Sequence, residues 1–95
     1  MDSKKIIWIT GASSGIGLAL AQEYAHLGAK VVLSSRSVGA LESVRQSLKN
    51  PDEHLVLPLD LLDSSNFPEK VQEVVNRYGR IDVLINNGGV SQRGE

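Results

Sequence analysis

The chain has 95 residues, a formal net charge of −1 and no cysteine. That length allows one small domain, the charge balance lacks the basic excess of a nucleic-acid binder, and a disulfide framework or thiolate metal site is excluded. Residues 1–5 are polar, and the apolar run after them is too short for a signal peptide or a membrane span; a cytoplasmic protein without nucleic-acid or membrane partners is expected.

A first strand is predicted over residues 5–10, carrying Ile6-Ile7-Trp8-Ile9, with Trp8 in the core. Thr10-Gly11-Ala12-Ser13-Ser14-Gly15-Ile16-Gly17 follows and leads into an amphipathic helix over 14–27. Ile16, Leu20, Tyr24 and Leu27 are spaced to line one helix face, and Gly28 is placed as its cap. A second strand covers 30–35, and a second helix covers 37–48 with Leu41, Val44 and Leu48 inward. Asn50-Pro51 stops it. A third strand covers 54–59. A third helix starts near Asn66 with Pro68 in its first turn, buries Phe67, Val71, Val74, Val75 and Tyr78, and ends at Gly79. The fourth strand covers 80–86 and runs out through Asn87-Gly88-Gly89-Val90.

The strands are continuous apolar runs, which predicts a sheet covered on both faces. Strict strand–helix alternation predicts right-handed crossovers in a parallel sheet. The fold class is therefore α/β, a partial doubly wound sheet of order 3-2-1-4 with helices on both faces. Pro58 agrees, since proline belongs on an edge strand. In this order the glycine loop after the first strand and Asn86-Asn87-Gly88-Gly89 after the fourth meet at the switch point, where such sheets bind ligands.

The loop itself suits a phosphate. Gly11 permits a sharp turn, Gly15 a close ligand and Gly17 tight helix packing, while the first helical amides lack partners and welcome an anion. Ser13 and Ser14 add hydroxyl donors or cap the helix. No lysine lies between Lys5 and Lys30, so an ATPase-type phosphate loop is excluded. Taken alone, three glycines in seven residues could form only a flexible turn.

Thr10-Gly11-x-x-x-Gly15-Ile16-Gly17, Asp60 after the third strand, and Asn86-Asn87-Gly88-Gly89 together resemble the short-chain dehydrogenase/reductase family, in its compact single-domain branch. The resemblance spans essentially the whole chain. Gly88 departs from it, since the family usually has alanine there. The resemblance implies that residues 11–17 hold the adenosine ribose and pyrophosphate, with the Ile16 N–H toward the nicotinamide half. It implies that Asp60 bonds the adenine amino group beside the Leu61 backbone, and that the main chain of Asn86 and Gly88 faces the ribose. Asp60 could instead cap a turn, and the asparagines could form an ordinary turn.

NAD-selective folds place an acid at the end of the second strand; here the residues are Ser34-Ser35-Arg36-Ser37. A guanidinium pairs with phosphate through two directed hydrogen bonds, so NADP(H) is expected over NAD(H), unless Arg36 is only a solvated helix-entry residue. The family's catalytic serine and Tyr-x-x-x-Lys set is absent. Tyr24 and Tyr78 are followed four residues on by Gly28 and Asp82. His26 and His54 have no metal or nucleophile partners at a matching spacing.

The chain thus reads as the cofactor-binding portion, over 1–95, of an NADP(H)-dependent oxidoreductase, inactive by itself. The full-length protein would take a small-molecule carbonyl or alcohol. A noncatalytic NADP(H)-binding sensor or regulatory module, or a remnant that binds nothing, are the alternatives. A homo-oligomer is expected, formed through the exposed edge of the fourth strand or the helices beside it.

Overall fold

In the computed structural model, residues 4–60 and 62–87 are described. Strands β1 (Ile6–Thr10), β2 (Lys30–Ser34), β3 (Leu55–Val56) and β4 (Val83–Asn86) form one sheet. Helices α1 (Gly15–His26), α2 (Val38–Ser47) and α3 (Phe67–Tyr78) join them. All pairings are parallel, in the order β3-β2-β1-β4. Trp8 lies beside Val32 on one side and Leu84 on the other. Thr10, at the carboxyl end of the central strand, pairs with Ser34 and Asn86.

The sheet separates two cores. On one face Ile7, Ile9, Val31 and Leu33 pack against Ala21 and Ala25 of α1 and Leu41 and Val44 of α2, with Leu48 just beyond it. On the other, Ile6, Trp8, Val32, Leu57 and Leu59 pack against Val74 of α3, with Phe67, Val71 and Tyr78 around it. The inward residues of α2 and the central residue of α3 are those their periodicity predicts.

The inner face of α1 differs from its prediction. Ile16 and Leu27 are exposed, Leu20 and Tyr24 are half-buried, and the fully buried positions are Gly17, Ala21 and Ala25. Small residues at i, i+4 and i+8 let this helix lie close on the central strands, and the larger side chains are displaced to its flanks.

Two strands are also shorter than expected. The regular part of β3 is two residues, yet the chain stays on the sheet: Leu57 N–H donates to Leu33 O and Leu59 N–H to Ser35 O, both at 2.9 Å. Pro58 falls between these donors, where its missing N–H faces outward. Ahead of β4, one backbone bond, Asp82 N–H to Ile6 O at 3.0 Å, is joined by side chains. Asp82 Oδ2 accepts Ile6 N–H at 2.7 Å, and Arg80 reaches Lys4 O at 3.0 Å and Asp82 at 2.9 Å. Coverage of both sheet faces holds for β1 but fails at β4, where Leu84 is 46% exposed.

His54 is buried and fully partnered. Its Nδ1 accepts Val31 N–H at 3.0 Å, and Nε2–H donates to Lys49 O at 2.7 Å. Only the neutral ring can do both. Burial pushes its pKa below the usual 6.5, with the Lys49 carbonyl and Glu53 opposing and Arg45 and Lys4 adding to the shift. The unfolded chain therefore binds this proton more readily than the fold does. Stability from the neutral ring is complete above pH 6.5 and lost as pH falls below it. Urea unfolding followed across this range should show stability rising with pH, at most about 1.4 kcal/mol per unit. His54→Gln should flatten that rise; an unchanged profile would assign the slope elsewhere.

Candidate functional site: the carboxyl ends of the strands

Every predicted motif that falls on described residues emerges at the carboxyl ends of the strands. The glycine loop leaves β1, Ser35-Arg36 leave β2, Asp60 follows β3, and Asn86-Asn87 end β4. Leu61 and Gly88 lie outside the described residues.

The glycine loop is anchored from both sides. Ala12 N–H donates to Ser34 O of β2 at 3.1 Å. From β4, Thr10 Oγ1 donates to Asn86 Oδ1 at 3.0 Å, and Asn87 Nδ2 reaches Gly11 O at 3.5 Å. Gly17 is the close-approach position: a Cβ there would sit 2.1 Å from Gly11 O and 2.8 Å from Asn87 Nδ2. The switch point is thus a contact among three segments. Asn87, part of the motif named after the fourth strand, reaches the loop from the end of the neighbouring strand β4.

Gly15 has φ +59°, with open space where a side chain would stand. Ser14 occupies the N-cap in extended backbone, but its hydroxyl makes no capping bond. Leu18 N–H closes the first turn onto Ser14 O at 3.3 Å. The amides of Gly15, Ile16 and Gly17 therefore remain available to a ligand at the positive end of α1. Ser14 and Ile16 are exposed beside them and Ser13 is half-buried. Unpaired amides, a glycine cradle and hydroxyls suit a diphosphate anion.

Arg36 and Asp60 come together in a hollow of about 350 Å³ beyond β2 and β3, lined also by Pro58, Leu59, Asp63, Asn66 and Lys70. Asp60 does cap its turn, since Oδ1 accepts Leu62 N–H at 2.9 Å. Its second carboxylate oxygen has no hydrogen bond among the described residues. Asp63 is held below the usual carboxylate range by the Ser65 hydroxyl and N–H. Arg36 is exposed and makes no ion pair among the described residues. Lys70, brought in by α3, is a second cation that no motif announces.

Both tyrosines lie at the opposite end of the sheet. Tyr24 lines a hollow with Lys4, Lys5 and Ala29 near the start of β1, and Tyr78 donates its hydroxyl to Glu53 O at 2.8 Å. Neither can reach a ligand on the glycine loop. Among the described residues there is no cluster of three metal-ligating side chains, and no helix is long and apolar enough to cross a membrane.

A family model described as short chain dehydrogenase matches residues 5–95. The chain is 48% identical over 93 residues to human dehydrogenase/reductase SDR family member 7, covering 93% of this chain and 27% of that protein. Among solved structures, L-sorbose reductase from Gluconobacter frateurii, complexed with NADPH and L-sorbose, superposes with a TM-score of 0.82 at 38% identity, over 92% of this chain and 34% of that one. The 3-ketoacyl-(acyl-carrier-protein) reductase from Brucella melitensis, complexed with NADH, gives 0.76 at 30% identity over 84% and 32%. The chain spans about a third or less of the length of these relatives. With its sheet order, its glycine loop and the asparagines that meet it, the chain belongs to the short-chain dehydrogenase family of oxidoreductases.

Proposed function

We propose that this chain is the dinucleotide-binding portion of an oxidoreductase that moves a hydride between NADP(H) and a small carbonyl or alcohol. The observation that carries this reading is the meeting of the glycine loop with Asn86 and Asn87 over the open amides of α1. Residues 11–17 would hold the pyrophosphate and its ribose, with the Ile16 amide toward the nicotinamide half. Asp60 would use its free oxygen for the adenine amino group, beside the backbone of Leu61. The main chain of Asn86 and Gly88 would face the ribose.

Related structures hold NADPH in one case and NADH in another, so cofactor choice rests on this chain's own residues. The place after β2 carries Arg36 and no acid. A charge-assisted hydrogen bond contributes about 1.5–3 kcal/mol. At this exposed site, screening brings the preference to the lower end, about tenfold in affinity. Titration of the 95-residue chain with NADPH and NADH should show that preference, and Arg36→Asp should reverse it. Equal affinities in the unaltered chain would remove the NADP(H) assignment. No turnover is expected from this chain, because neither tyrosine stands at the crevice.

A further inference from the structure

We propose that Ser34 is a positioning residue for cofactor selectivity, acting through Arg36 and Asp60; this rests on the NADP(H) reading above. Ser34 is fully buried at the end of β2 and bonds to three other segments. Its carbonyl takes the Ala12 N–H of the glycine loop. Its hydroxyl accepts Trp8 Nε1–H of β1 at 2.8 Å and donates to Leu57 O at 2.7 Å, at the carboxyl end of the β3 segment. One hydroxyl thus ties three neighbouring strands just before their loops.

A fully buried serine following Val31-Val32-Leu33 is costly unless both its donor and its acceptor are used. Here both are used, and the pairing reaches the ligand end. Arg36 lies two residues beyond Ser34, and Asp60 three beyond Leu57. These two residues line the same hollow. The separation of β2 from the Leu57 segment therefore sets how far the guanidinium stands from the carboxylate. Removing the hydroxyl leaves a buried indole N–H and a buried carbonyl without this partner; the backbone bonds of Leu57 to Leu33 and of Leu59 to Ser35 remain, and a small adjustment of the Leu57 segment between them relieves the unpaired groups. The glycine loop keeps its Ala12 bond, which comes from the Ser34 backbone. Loss of the side chain should consequently disturb 2′-phosphate recognition more than pyrophosphate binding.

The test uses the 95-residue chain with NADPH and NADH as probes, in a double-mutant cycle of Ser34→Ala and Arg36→Ala. Ser34→Cys, nearly isosteric but a poor hydrogen bonder, serves if the alanine variant does not fold. The NADH-to-NADPH ratio of dissociation constants should fall by roughly threefold or more on changing Ser34, and should show no further fall on changing Ser34 when Arg36 is already alanine. Trp8, the single tryptophan, should shift its emission as its indole loses a partner. An unchanged ratio in Ser34→Ala or Ser34→Cys despite lower stability, or effects that simply add, would overturn the proposal. Should the unaltered chain bind neither nucleotide, the NADP(H) reading falls and this inference with it. If it binds NADPH preferentially and only the cycle fails, the inference alone is lost.

Discussion

Gly17→Ala should both destabilise the chain and remove the nucleotide binding proposed for it. The added methyl would meet Gly11 O at 2.1 Å and Asn87 Nδ2 at 2.8 Å. The first obstacle is backbone and cannot rotate away. Either α1 lifts from the sheet, uncovering Ala21 and Ala25, or the glycine loop moves and drops its contact with Asn87. Overpacking typically costs about 1–3 kcal/mol, and a backbone obstacle places this site at or above the top of that range. A domain of this size has roughly 5–14 kcal/mol in total, so part of the fold should survive for measurement. Urea unfolding should show a lower midpoint, and NADPH titration should show loss of binding beyond the unfolded fraction. A variant with the same midpoint and the same affinity would refute the close packing at the switch point.

Trp8→Ala should have the largest effect on stability. Trp8 is completely buried in the central strand and stacks on Phe67, with ring centroids 5.4 Å apart and planes within 11°. Its neighbours come from β2, the Leu57–Leu59 segment and α3. It is therefore the piece on which α3 is seated. Large-to-alanine truncation of a buried aromatic costs about 3–5 kcal/mol, and here the Ser34 hydroxyl also loses its donor. That is a large fraction of the whole, so thermal unfolding followed by far-UV circular dichroism should begin near room temperature. A midpoint close to that of the unaltered chain would show that α3 is held by other contacts.

The strand order, the helix faces of α2 and α3, and the meeting of the glycine loop with the paired asparagines were legible in the sequence because each rests on alternation or periodicity. The face of α1 was not. Its buried residues are glycine and alanine, which carry little hydrophobic signal, while Ile16 and Leu27 carry much and stand in solvent. The shape of the helix–sheet contact, and not apolarity, selected them. In the site, Gly11, Gly15 and Gly17 could be found from spacing, and Asp60 through the family resemblance. The roles of Ser34 and Lys70, and the particular bond Asn87 makes to the loop within its motif, could not, since each depends on a neighbour far away in the chain. Ser34 left one trace: a hydroxyl at the end of an apolar strand, in register with Thr10.

The outward side of Pro58 gives the sheet a direction of growth. A strand approaching beyond the Leu57–Leu59 segment would meet a position with no donor, on a margin whose regular pairing spans two residues. The other margin carries four residues of regular backbone and a half-bared Leu84. An additional strand, whether from a longer polypeptide or from another molecule, therefore finds the better-formed edge on the asparagine side, where it would extend the floor beneath the crevice and leave the arginine side untouched.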